Sequence, residues 1–233
     1  MRNVKAVLKK QILSFFKNSG MFGMPMFFLG IPFAMLLLIP DVGDSRHLIV
    51  TQFVIMFVGL AMVGVASGFI EEDRATMNLR FMGMAGVKPY QYLLGTCGAM
   101  LLVSLGALLL FGLMSGFAGQ TMINFLILAM LGASASMLLG ITLRLTKFAP
   151  FTPIVAMLLG VGPLFADANE TLANIFSFTY THRVNTAMQE QMAVNLTETF
   201  QIVGINIAII LVLFIVSNLS IGLDGEKISA NKA

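Results

Sequence analysis

The sequence predicts an all-α membrane protein. The expected architecture is six transmembrane helices, an interfacial amphipathic helix ahead of the first, a cytoplasmic helix between spans two and three, and a short helical outer segment between spans five and six. Three observations carry that expectation. Of the 233 residues, 58% are hydrophobic and only 11% charged, and the mean hydropathy of +0.90 lies far outside the soluble globular range. Charge-free windows cover 18–40, 47–70, 89–143, 148–166 and 199–223, and about 20 apolar residues rising about 1.5 Å each cross a bilayer core of about 30 Å. Lys and Arg are unevenly shared among the segments between those windows. A β-barrel would instead alternate over segments of about ten residues, and no such alternation occurs.

Taken in order, residues 1–19 read as a cytoplasmic interfacial helix. Val4, Val7, Leu8, Ile12, Phe15 and Phe16 recur at spacings of three and four, with Lys5, Lys9 and Lys10 opposite. Such a helix can lie apolar face down on the membrane with its lysines among anionic head groups. Gly20 permits a sharp turn into the first span, where Pro25 and Pro32 are expected to bend the helix. The first window is too long for the apolar core of a leader peptide, and no A-x-A-like site closes it. The second span, about 48–70, carries Gly64 and Gly68 in a G-x-x-x-G arrangement that Gly112 and Gly116 repeat; small residues at that interval let helices approach closely. The window 89–143 holds two spans and divides at "SGFAGQT" (Ser115 to Thr121), whose small and polar residues suit a tight turn.

The window 148–166 is short and contains Pro150, Pro153 and Pro163. The outer segment, about 167–198, is acidic and carries Val184, Met188, Met192 and Leu196 at intervals of four. A structureless stretch of that length is unusual in a compact protein, so a short amphipathic helix folded back on the outer ends of the spans is expected. The sixth span closes the single domain 20–223, and 224–233 form a cytoplasmic tail. Orientation follows from the charges: twelve Lys and Arg fall on one side and two, Arg46 and Arg183, on the other. By the positive-inside rule both termini are cytoplasmic, and an even number of spans agrees.

Little in the chain points to catalysis. Hydrolytic and metal chemistry need clustered His, Cys, Asp or Glu. His47 and His182 stand apart, Cys97 is the single cysteine, and no HExxH, P-loop or G-x-S-x-G occurs. The isoelectric point near 9.2 comes from the loops, with no aromatic-interleaved basic cluster for nucleic acid. The six spans hold no ionisable group of the kind that ion-coupled carriers use. Any transport must therefore draw its energy from outside the chain.

The stretch "EEDRATMNLRFMGMAGVKP" (Glu71 to Pro89) breaks the oily pattern with six charges. A helix starting near Asp73 would set Met77, Arg80, Phe81 and Met84 on one side. The acids at its start would suit the helix dipole, and Gly83, Gly86 and Pro89 would end it. Exposed Met and Phe beside charges suit docking on another protein.

That stretch, with "YQYLLG" after it, resembles the membrane subunit of type-2 ABC transporters. The family pattern there is E-x-x-x-G-T-L-x-x-L, a proline-containing break, and a Y-x-L-G-K start to the third span. Glu71 or Glu72, Thr76, Met77, Leu79, Pro89, Tyr92, Leu94 and Gly95 fit it, while Ala75 stands for the usual Gly and Thr96 for a frequent Lys. The resemblance implies a permease, non-enzymatic itself, that forms the path of an ATP-driven exporter with a second copy or close homologue in a bacterial plasma membrane. It implies a separate cytosolic P-loop ATPase that binds ATP and Mg, with no cofactor in this chain. It implies a coupling helix at about 72–84, with Glu71, Glu72, Asp73 and Arg74 anchoring its hinge and Thr76, Met77, Leu79, Arg80 and Phe81 meeting the ATPase. The alternative from the residues alone is a membrane scaffold, or an immunity or assembly protein, that holds a cytosolic partner by the same segment and transports nothing.

Overall fold

Asn18 divides the first 38 residues into two helices, α1 (Arg2–Lys17) and α2 (Ser19–Leu38). Its backbone is extended (φ −89°, ψ 106°), and its Oδ1 accepts from the N–H groups of Gly20 and Met21 at 3.0 and 3.3 Å. These are the orphan donors that a helix start must satisfy. The turn expected at Gly20 is thus made two residues earlier, by the side chain that can cap. α2 runs on through Pro25 and Pro32, both buried against its neighbours.

This computed structural model of the chain describes residues 2–39, 46–146, 148–166, 170–190, 192, 197–212 and 215. After α2 come α3 (Arg46–Ala75), with a π-helical turn at Phe57–Ala61, and the short α4 (Asn78–Met84). α5 (Pro89–Met114) and α6 (Gly119–Leu145) follow. A 3₁₀ turn (Ala149–Phe151) leads into α7 (Thr152–Ala166), and then come α8 (Glu170–Phe176), α9 (Tyr180–Gln189) and α10 (Thr197–Val212). The described residues contain no strand. Five helices among them are long and apolar enough to cross a membrane: Ser19–Leu38, Arg46–Ala75, Tyr90–Met114, Gly119–Leu145 and Ala149–Ala166. The expected sixth span begins as the apolar α10, but most of 213–223 and all of the tail 224–233 lie outside the described residues.

α3 is the central helix. Val50, Val54, Ile55, Phe57, Val58, Ala61 and Val63 on it are fully buried. α6 crosses it where a Cβ on Gly140 would stand 2.6 Å from the Val63 carbonyl oxygen. α7 crosses it at the π-helical turn, where a Cβ on Gly59 would stand 2.6 Å from the Gly160 backbone. The extra residue of a π turn swells the helix locally, and glycine on both sides accommodates the swelling. Gly64 and Gly68 of the G-x-x-x-G pair face α2 instead, against the flexible side chains of Met24 and Met21. Gly116 belongs to the turn after α5, at φ +79°, with Gly119 at φ +55° opening α6; left-handed backbone at this reversal favours glycine.

α1 is seated on α5. A Cβ on Gly95 would come within 2.7 Å of the Val7 side chain and 3.1 Å of the Val4 carbonyl, so Gly95 is where the two helices cross. Val7, Gln11 and Phe15 are buried in that seat, while Leu13 and Phe16 remain exposed. The charges of α1 and of the ends of α3 and α6 gather at one end of the bundle, beside the start of α4 and of α5, called here the charged end.

At the far end, α8 packs on α7, and α9 inserts among α3, α6 and α7. The Phe176 ring lies where a Cβ on Gly162 of α7 would be. Tyr180 and Val184 of α9 pack at Gly132, the midpoint of α6, and the Tyr180 hydroxyl shares a 2.6 Å hydrogen bond with Ser136. The segment therefore reaches beyond the span ends to mid-helix depth. Met192 is buried at φ 64°, whereas Leu196, the last residue of the expected stripe, lies outside the described residues.

Candidate functional site

Three consecutive acids end α3, where a helix already carries roughly half a negative charge on its free carbonyls. Left alone they would fray the last turn. Each finds a different partner instead, because 100° steps around the helix point successive residues at different neighbours.

Asp73 points inward and is 1% exposed. It accepts from Lys10 Nζ, with which it forms an ion pair, and from Gln11 Nε2 at 2.7 Å, both on α1. It also accepts from the Tyr92 hydroxyl of α5 at 2.8 Å and from Asn78 Nδ2 of α4 at 3.3 Å. One carboxylate thus ties four helices. Both of its oxygens are used, as a buried charge requires. Gln11 gives its second amide hydrogen to Thr96 Oγ1 at 3.3 Å and keeps its own Oε1 buried without a partner. The arrangement commits Gln11 to donating.

Glu72 turns toward the α1–α2 junction, accepting from Ser14 Oγ at 2.9 Å and Asn18 Nδ2 at 3.4 Å. Glu71 forms an ion pair with Arg144 at the end of α6. Arg74 returns the link by donating Nη1 to the Arg144 carbonyl at 3.1 Å, which occupies one of the orphan acceptors of α6. α3 and α6 are thereby clasped at their charged ends.

α3 persists to Ala75, so the acids belong to the end of that long apolar helix and not to the start of the short α4, which begins at Asn78 rather than near Asp73. The physical reason is that Glu71 to Ala75 contain no breaker, and α1 and α6 supply the compensating donors. Thr76 Oγ1 bonds the Glu72 carbonyl at 2.7 Å, and Met77 takes a left-handed φ of 54° that ends the helix. α4 then projects from the charged end with Met77, Phe81 and Met84 each more than half exposed. Gly86 turns the chain at φ 74° toward Pro89. The Gln91 side chain holds that turn by accepting from the Lys88 N–H at 3.1 Å and from Asn3 Nδ2 at 3.2 Å.

Of the residues singled out in the sequence, Glu71, Glu72, Asp73 and Arg74 thus form the root of α4, Thr76 is a local cap, and Met77 and Phe81 are presented outward. The side chains of Leu79 and Arg80 lie outside the described residues. Lys10, Gln11, Tyr92, Asn78 and Arg144 were not anticipated as members. One signal was available: Gln11 interrupts the apolar stripe Val7–Gln11–Phe15, and an amide in a buried stripe must find a partner. Among the described residues no group of three or more His, Cys, Asp or Glu is placed to hold a metal ion. No protein-family model, curated protein or solved structure matches the chain.

Proposed function

We propose that the chain is the membrane-spanning permease of an ATP-driven exporter, working with a second copy or close homologue and with a separate cytosolic P-loop ATPase. The observation that carries this reading is the pairing of an exposed Met/Phe face on α4 with a buried root at Asp73. A face made only to link two spans has no use for Met77, Phe81 and Met84 in solvent. A helix made to transmit force needs a stiff connection to the spans, and Asp73 connects it to α1, α3 and α5 at once. In this mechanism the ATPase subunits close on ATP and displace α4. The displacement passes through Asn78 and Asp73 to α1, α3 and α5 as a unit, and the spans change from inward- to outward-facing. The charged end is then cytoplasmic, in keeping with its Lys and Arg.

The test is co-purification from the native membrane, comparing the wild type with Met77→Ser combined with Phe81→Ser. The expected result is an ATPase bearing a P-loop that accompanies the wild type and is reduced at least tenfold with the variant, at unchanged thermal stability, since both side chains already face solvent. Recovery of no ATPase, or equal recovery with both, would remove the exporter reading and favour a scaffold.

A further inference from the structure

The outward half of the bundle carries a groove that the coupling machinery does not use. It lies between α2 and α5, holds about 500 Å³, and is lined by Met26, Leu29, Gly30 and Phe33 of α2 and by Leu110, Leu113 and Met114 of α5. Met26, Leu29, Gly30 and Phe33 fall at spacings of three and four, so they form one face of α2 about 10 Å long. A Cβ on Gly30 would meet nothing within 4 Å; the missing side chain opens the floor of the groove. Among the described residues a single charged one lines it, Arg46, at the start of α3. Arg46 is exposed and stands at the far end, where α2 finishes and α3 begins.

We infer that this groove holds an acyl chain of an anionic membrane lipid whose phosphate pairs with Arg46. The arrangement matches such a lipid at both ends. The floor is apolar along its length and parallel to the spans, as a chain in a bilayer is. The guanidinium sits at the level where the apolar helices end, which is where head groups begin. Its planar fork suits phosphate oxygens in a bidentate contact that a point charge would not reproduce. An uncharged tenant such as a second copy's apolar span would offer that charge no counter-ion. The site is independent of any ATPase partner.

The full chain is incorporated into nanodiscs of equal palmitoyl-oleoyl phosphatidylglycerol and phosphatidylcholine, re-extracted in mild detergent, and weighed with its retained lipid by native mass spectrometry. The expected result is about a tenfold preference for phosphatidylglycerol, the order of one charge-assisted contact. Arg46→Gln should bring the two lipids to near parity. Gly30→Leu, whose Cβ meets nothing within 4 Å, should fill part of the groove and lower retention of both. Equal retention by the wild type, or a preference that survives Arg46→Gln, overturns the assignment and leaves Arg46 to the carboxylates of Asp41 and Asp44 near it in sequence. A dimer that retains no lipid overturns it in favour of a second copy.

Discussion

Asp73→Ala is expected to lower the melting temperature of the solubilised protein by about 10 °C. The substitution strips the acceptor from Lys10, Gln11, Tyr92 and Asn78 together. Breaking a buried ion pair by removing one partner costs about 3–5 kcal/mol, because the remaining donors stay desolvated. Lys10 is about a third exposed and can turn back to water, so the lower end of that range, about 3 kcal/mol, is the appropriate figure. At this chain length about 1 kcal/mol corresponds to roughly 2–4 °C. Lys10→Met should also destabilise, since it leaves the buried Asp73 carboxylate without its cation, although Gln11 and Tyr92 still donate to it and offset part of the loss. The two losses should not add, because both changes act on one network. Equal melting of wild type and Asp73→Ala would mean that the four-helix junction contributes nothing to the fold.

The second large effect belongs to the crossing of α3 and α7. Gly59→Ala places a methyl group 2.6 Å from the backbone of Gly160. Backbone cannot rotate away as a side chain can, so the helices must part. Overpacking of this kind costs about 1–3 kcal/mol, and a contact against main chain belongs at the upper end. Gly160→Ala meets Leu60 Cβ at 2.7 Å and its backbone nitrogen at 3.0 Å and should act similarly. Gly23→Ala on α2 meets nothing within 4 Å and should leave the melt unchanged or slightly raised. If Gly59→Ala melts with Gly23→Ala, the close crossing at the π-helical turn is not a constraint on the fold.

The five long apolar helices were legible because hydropathy and charge spacing are local properties, and the turn at 115–121 was legible from its glycines. The junction at Asp73 was not, because it joins residues 63 positions apart in sequence. Periodicity assigned Lys10 to the lipid head groups on the polar face of α1; packing on α5 rotated it toward Asp73 instead. The boundary of α4 was misplaced by a real but weaker preference. Acids favour a helix start, yet five residues with no Gly or Pro among them simply extend α3 once α1 and α6 neutralise the acids. Glycine spacing was similarly misleading. Gly64 and Gly68 have the familiar interval but face pliable methionines, whereas Gly59, Gly140 and Gly160 sit singly at crossings where two backbones meet at one point. Nothing in a single chain's pattern says where those points fall.

The most direct test of the exporter account is photocrosslinking from α4 in the native membrane. A benzophenone amino acid at position 81 is compared with one at position 102, on the outward face of α5. The account predicts a specific adduct from position 81 alone, in which the captured polypeptide carries a P-loop. An adduct with a polypeptide lacking one, or none from position 81, would contradict it.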